Sequence, residues 1–121
     1  MAFPNIQFKG TNVQVEGVWQ DLVAQKFRTL EKYLGKVTDA HCQVEFEKIV
    51  SHQNGDIHRV EANLYAGGKM HRAEATLGSF EAAIDVVREE LDRELAKTNE
   101  KRDTLVKKGG RKLKEMLRFG K

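Results

Sequence analysis

Basic side chains recur at helical spacing in two stretches of this chain, and phosphate binding is the chemistry that such rows suit. Arg28, Lys32 and Lys36 stand four residues apart, with Lys26 beside them, and Arg93, Lys97 and Lys101 repeat the spacing further on. Residues four apart share one helix face. Each row is therefore a line of cations, and such lines hold nucleic-acid backbones without reading sequence. Ordinary solvated helix faces are the competing reading, and Glu89, Glu90 and Glu94 favour it on the second row. Residues 101–121 carry nine basic side chains against Asp103 and Glu115, a balance of +7 beside −4 for residues 1–100. Lys101, Arg102, Lys107, Lys108, Arg111 and Lys112 thus lie in a segment suited to a polyanionic partner. A merely solubilising tail is the bland alternative.

Nucleophiles and metal ligands do not assemble into a reactive group. Cys42 shares a strand face with Val44 and Phe46 and reads as a small buried hydrophobe. His41 is its neighbour, and neighbours on a strand point to opposite faces, so a Cys–His pair is geometrically poor. His52 and His58 flank the Asn54-Gly55 turn, but two histidines do not close a zinc site and no CxxC or HxxxH accompanies them. His71 has the inward parity of Ala73 and Ala75 and reads as a structural or edge residue. Phosphate-loop, dinucleotide and nucleophile-elbow motifs are missing. The chain therefore reads as no enzyme, with no cofactor, metal or small-molecule substrate. Tyr65 is the one aromatic expected to be exposed on a strand, a thin basis for base stacking.

The elements that must carry these residues follow from apolar periodicity. Ile6-Gln7-Phe8-Lys9 alternates as a short strand ending at Gly10. Trp19, Val23, Phe27, Leu30 and Leu34 recur at helical spacing, predicting one helix from about Gly17 to Leu34, with Gly35 at its end. Glu16-Gly17 is a poor cap for its start. Cys42, Val44 and Phe46 mark a second strand, and Val60, Ala62, Leu64 and Ala66 a third. Gly67-Gly68 is a hairpin signal, and Ala73, Ala75 and Leu77 lie on the fourth strand. The small alanines leave room for a helix to pack closely. Ser79 is a plausible N-cap, and Phe80, Ile84, Val87, Leu91 and Leu95 form the stripe of the second helix. That helix is expected to continue through Leu105-Val106 until Gly109-Gly110 breaks it. The order predicts an α+β fold, β-α-β-β-β-α, with a four-stranded mixed sheet and both helices on one face. The helical crossover allows strands one and two to be parallel. Residues 1–102 are expected to form one domain and 103–121 a basic C-terminal tail.

Composition bounds the setting. A chain of 121 residues with 40% hydrophobic and 32% charged side chains reads as one soluble domain. No apolar run approaches the roughly 20 residues of a membrane span. One cysteine and no signal-peptide pattern point to the cytoplasm.

Several motifs resemble one family. Arg72-Ala73-Glu74, then Ala82-Ala83-Ile84-Asp85, then Leu91, Arg93, Leu95 and Lys97 look like the ribosome hibernation-promoting and ribosome-associated inhibitor family. Lys26-Phe27 with Leu30-Glu31-Lys32-Tyr33 resembles its Leu-Glu-Lys-aromatic motif, and Val44-Glu45-Phe46-Glu47-Lys48 fits its strand pattern. The similarity covers about residues 5–102. It implies a protein that docks on the small ribosomal subunit between head and body, overlaps the mRNA, tRNA and initiation-factor sites, and blocks translation of stored ribosomes. The matching contacts to ribosomal RNA are Lys26, Lys32, Arg93, Lys97 and Lys101, acting as phosphate clamps. The length implies a monomeric short form without the C-terminal dimerisation domain of longer members. Glu81 and Glu90 depart from the family pattern, replacing a usual aromatic and a usual lysine, and the basic tail is expected to compensate. A general shape-selective RNA-binding module is the first alternative, and an interaction protein that has lost the ribosome is the second.

Overall fold

The computed structural model describes residues 3–35, 37–50 and 56–107. Its elements run β1 (Ile6–Thr11), α1 (Gly17–Phe27), a 3-10 segment (Arg28–Tyr33), β2 (His41–Lys48), β3 (His58–Ala66), β4 (Lys69–Leu77) and α2 (Phe80–Lys107). The strands form one sheet in the order β1-β2-β3-β4, with β1 parallel to β2 and the other pairs antiparallel. This is the α+β arrangement that the order of periodicities predicts.

Strand parity sets the two faces of the sheet. Cys42, Val44 and Phe46 of β2 and Val60, Ala62 and Leu64 of β3 are buried on one side. Both helices cover that side, α1 and the 3-10 segment through Val23, Phe27 and Leu30, and α2 through Phe80, Ile84, Val87 and Leu91. Each large apolar side chain removed from water contributes about 1.5–3 kcal/mol. Ala62 and Ala73 are cross-strand partners, both buried, and they let α2 settle closely on β3 and β4. The Ser79 Oγ accepts a hydrogen bond from the Ala82 N–H at 3.1 Å, capping α2 as expected. Gly67 and Gly68 both have positive φ, 61° and 79°, as a tight two-residue hairpin requires. The α2 helix passes through Leu105-Val106 to Lys107, whereas Gly109-Gly110, the tail beyond it and the Asn54-Gly55 turn lie outside the described residues.

Two boundaries differ from the sequence expectation. The first helix is not continuous to Leu34: its α-helical part stops at Phe27 and the chain tightens into the 3-10 segment. Three residues per turn bring Phe27, Leu30 and Tyr33 into line on one side. The Thr29 hydroxyl donates to the Lys26 carbonyl at 2.9 Å, and Glu31 Oε1 accepts from the Phe3 N–H at 2.9 Å, so this turn is tied both to α1 and to the N-terminal segment. Strand β1 runs through Gly10 to Thr11, then turns at Asn12, whose φ is 59°. A Cβ at Gly10 would overlap the carbonyl oxygen of Val13, where the chain folds back along β1. Gly10→Ala is therefore expected to lower stability by about 1–3 kcal/mol, the usual range for overpacking, in a urea titration.

His71 is the single buried polar or charged residue among those described, 2% exposed beneath α2. Its Nδ1 lies 3.7 Å from Glu94 Oε1 and has no hydrogen-bond partner among the described residues. Burial holds its imidazole below the usual 6.5, against the opposing pull of Glu94. The unfolded chain then takes up this proton at a higher pH than the folded one. The contribution to stability is complete above about pH 6.5 and declines as pH falls below it. His71→Leu should shrink the difference between urea midpoints measured at about pH 7.5 and about pH 5. An unchanged difference would remove His71 as its source.

Candidate nucleic-acid interface

The two helices do not border one open cationic groove. Lys26 Nζ lies 2.5 Å from Asp85 Oδ1, bridging α1 to α2. The Asp92 carboxylate beside the Tyr33 hydroxyl, together with burial, raises the phenol pKa. Asp85 and Asp92 are seven residues apart and so lie on the same side of α2, the side facing α1. Arg93 follows Asp92 by about 100° around the helix, and Lys97 lies one turn beyond Arg93. Both are exposed. The cationic row of α2 is therefore turned outward from the seam between the helices. Lys101 continues that row along the backbone of α2, and Arg102 and Lys107 lie further along the same helix.

On the other side of the seam, Arg28 and Lys32 are exposed on the 3-10 segment, and Lys32 Nζ sits 5.1 Å from the centre of the Tyr33 ring. Because this segment has the tighter pitch, Arg28 and Lys32 do not continue an α-helical row. Lys36, Lys108, Arg111 and Lys112 lie outside the described residues. Four of the expected contact residues, Arg28, Lys32, Arg93 and Lys97, thus stand exposed on the helical side without an ion pair among the described residues, whereas Lys26 is paired. Carboxylates interrupt this side: Glu81 and Glu89 are exposed, and Glu94 lies 3.6 Å from Lys69.

The open face of the sheet has the opposite character. Arg59 projects there from β3 and is held by Glu47 at 3.1 Å, Glu74 at 2.6 Å and Glu61, with Glu45 at 3.8 Å. Arg72 reaches Glu61 at 3.1 Å. The register sets Lys9, Glu45, Glu61 and Glu74 in one row across the four strands. Burial pushes the Glu61 carboxyl up, but hydrogen bonds from Asn63 and Arg59 outweigh it and hold the group below its usual range. These carboxylates engage Arg59 and Arg72 and leave Lys9 as the cation of this face without an ion pair among the described residues. Arg59 carried no motif; the β2–β3 and β3–β4 registers together gather its partners.

His41 and Tyr65, also on the open face, are cross-strand partners whose rings stack 5.0 Å apart at 21°. Tyr65 is half-buried rather than standing alone. Cys42, on the opposite side of β2 from His41, is buried, and burial pushes its thiol up to about 12, leaving it protonated at neutral pH. His58 turns inward against Phe80, with ring centres 4.8 Å apart, and His52 lies outside the described residues. No group of three or more potential metal ligands occurs among the described residues, and no helix there is long and apolar enough to cross a membrane.

Residues 6–103 match the family model described as Sigma 54 modulation protein / S30EA ribosomal protein. The chain belongs to this family. A ribosome hibernation promoting factor from Pseudomonas putida is 30% identical over 101 residues, covering 84% of this chain and 92% of that protein. One from Escherichia coli (strain K12) is 27% identical over 96 residues, covering 79% of this chain and 94% of the relative. A Deinococcus radiodurans ribosome hibernation promotion factor is 31% identical over 91 residues, and the match spans 47% of its length. Among solved structures, the fold is similar to a ribosomal subunit interface protein from Coxiella burnetii, with a TM-score of 0.65 and 19% identity over 78% of this chain and 96% of that one. The Thermus thermophilus Protein Y N-terminal domain gives a TM-score of 0.65 at 20% identity, covering 79% of this chain and 98% of that domain. The family fold therefore accounts for β1 through most of α2.

Within this fold, the Lys26–Asp85 bridge is partly exposed, its side chains retaining 27% and 44% of their accessible surface. Its coupling, measured by a double-mutant cycle on Lys26→Ala and Asp85→Ala, should be no more than about 1 kcal/mol. A larger value would make the bridge a main determinant of helix placement.

Proposed function

We propose that this chain is a ribosome hibernation factor that binds the small ribosomal subunit between head and body, covers the mRNA and tRNA sites and holds stored ribosomes inactive. The observation that carries this reading is the family match over residues 6–103, together with relatives named for ribosome hibernation that are covered almost end to end. The charge distribution supports it. Arg28, Lys32, Arg93 and Lys97 offer exposed cations on the helical side, while Arg59 and Arg72 are engaged by carboxylates on the sheet side. In this reading the helical side meets ribosomal RNA by phosphate contacts, which give affinity without base readout. Lys101, Arg102 and Lys107 extend the contact along α2, and the basic residues 108–121 add to it, offsetting Glu81 and Glu90. Lys26 contributes less than its position suggests, because Asp85 already neutralises it. The protein acts in the cytoplasm as a single copy, binding without catalysis and without a cofactor.

Co-sedimentation with isolated small subunits across a salt series tests this reading. Binding should be saturable and displaced by mRNA with initiator tRNA. Arg93→Glu combined with Lys97→Glu should weaken it and lower the salt slope by about two, one per lost phosphate contact. Lys26→Ala should change the slope less. Equal affinity for free RNA duplexes would favour a general RNA-binding module, and lack of subunit binding would exclude the ribosomal reading.

A further inference from the structure

A cleft of about 450 Å³ opens at the leading ends of the parallel strands β1 and β2, within the size range of small-molecule sites. Pro4, Leu34 and Ala40 give it apolar walls, while Asn5, Gln7 and His41 add polar and aromatic groups. Among the described residues no acidic, lysine or arginine side chain lines it, and this lining suits a flat, neutral heteroaromatic ring better than a metal ion or an isolated phosphate. His41 stacks on Tyr65 of β3, and β1 lies on the other side of β2. One side of the imidazole is thus backed by a ring while the cleft lies on the other. Gln7 Oε1 accepts a hydrogen bond from Gln43 Nε2 at 3.2 Å, which leaves the Gln7 amide N–H groups to donate to a ligand.

We propose that this cleft takes one unpaired nucleobase of a single-stranded RNA segment, stacked against His41 and receiving a hydrogen bond from Gln7 at a ring nitrogen or carbonyl oxygen. The inference rests on the RNA-binding reading above and adds a base contact to its phosphate contacts. A paired base is excluded by geometry, because its faces are already stacked and its edge is occupied. Neither Arg93 nor Lys97 lines the cleft, so the two contacts are separable by mutation.

The test is a nuclear magnetic resonance titration of the full isotope-labelled chain with hexauridylate and hexaadenylate, and with a stable RNA hairpin stem as comparison. Either single strand should shift the Gln7 side-chain amide and the backbone amides of Asn5 and His41 saturably, and the stem should not. His41→Ala should weaken single-strand binding by roughly tenfold, the loss of one base–aromatic stack. His41→Tyr, which keeps a ring there, should retain it. Absence of shifts in the cleft, equal shifts with the stem, or unchanged affinity in His41→Ala would overturn the proposal. Small-subunit co-sedimentation of the same samples separates the two readings. A chain that binds subunits without cleft shifts loses only the base site, and one that shows cleft shifts without subunit binding loses only the ribosomal role.

Discussion

The close seating of α2 on β3 and β4 is the contact on which the rest of the architecture depends. Ala62 and Ala73 face each other across those strands, and their small side chains let Ile84, Val87 and Leu91 reach the sheet. A bulkier pair there would lift the helix and open voids along its stripe, and interiors tolerate such voids poorly. With α2 fixed, the remaining apolar surface lies beside it, where Val23, Phe27 and Leu30 complete the core. The seam between the helices is then closed by polar groups, Lys26 with Asp85 and Tyr33 with Asp92. Which cations stay available to a partner is thus a consequence of packing. Lys26 is consumed at the seam, while Arg93 and Lys97 are turned out of it.

Much of this was legible in the residues, for a physical reason. Period-2 alternation in Cys42–Phe46 and Val60–Ala66, and the stripe from Phe80 to Leu95, are each dictated by one buried face, so pattern and structure coincide. Ser79 and Gly67-Gly68 were equally readable, because a cap and a positive-φ hairpin restrict residue type locally. The end of α1 was not. Phe27, Leu30 and Leu34 fit an α-helix and a tightened turn almost equally well, and a local bond from Thr29 with a tertiary tie at Glu31 decides between them. The β1 boundary differs because Gly10 looks like a terminator, whereas it serves a close approach by Val13. The charged rows were visible as spacing, but not which of their members would be neutralised. Pairing across α1 and α2, and across β2 and β3, depends on register and helix rotation, neither of which a linear pattern encodes.

The modest net charge of +3 conceals two unlike faces. On the sheet side Arg59 binds carboxylates from three strands, which satisfies its guanidinium and leaves little positive potential there. On the helical side the exposed cations of the 3-10 segment and of α2 have no such partners among the described residues. Residues 80–99 of α2 carry Glu81, Asp85, Glu89, Glu90, Asp92 and Glu94 beside Arg88, Arg93 and Lys97, so the two faces differ in which cations are paired and not in net sign.

The parallel pairing of β1 with β2 also bears on the order in which the fold is assembled. Each β1–β2 partner pair, such as Ile6 with Cys42, is separated by the whole α1 crossover, whereas Ala66 and Lys69 at the β3–β4 hairpin are near neighbours in sequence. Loop closure costs more for the distant pair, and contacts of long sequence separation slow folding. During synthesis β1 is the first strand to leave the exit tunnel, yet it must wait for α1 and β2 before it has anything to pair with. The β2–β3 and β3–β4 hairpins complete their contacts with shorter delays. The strand made first is thus the one whose place in the sheet depends most on what is made later.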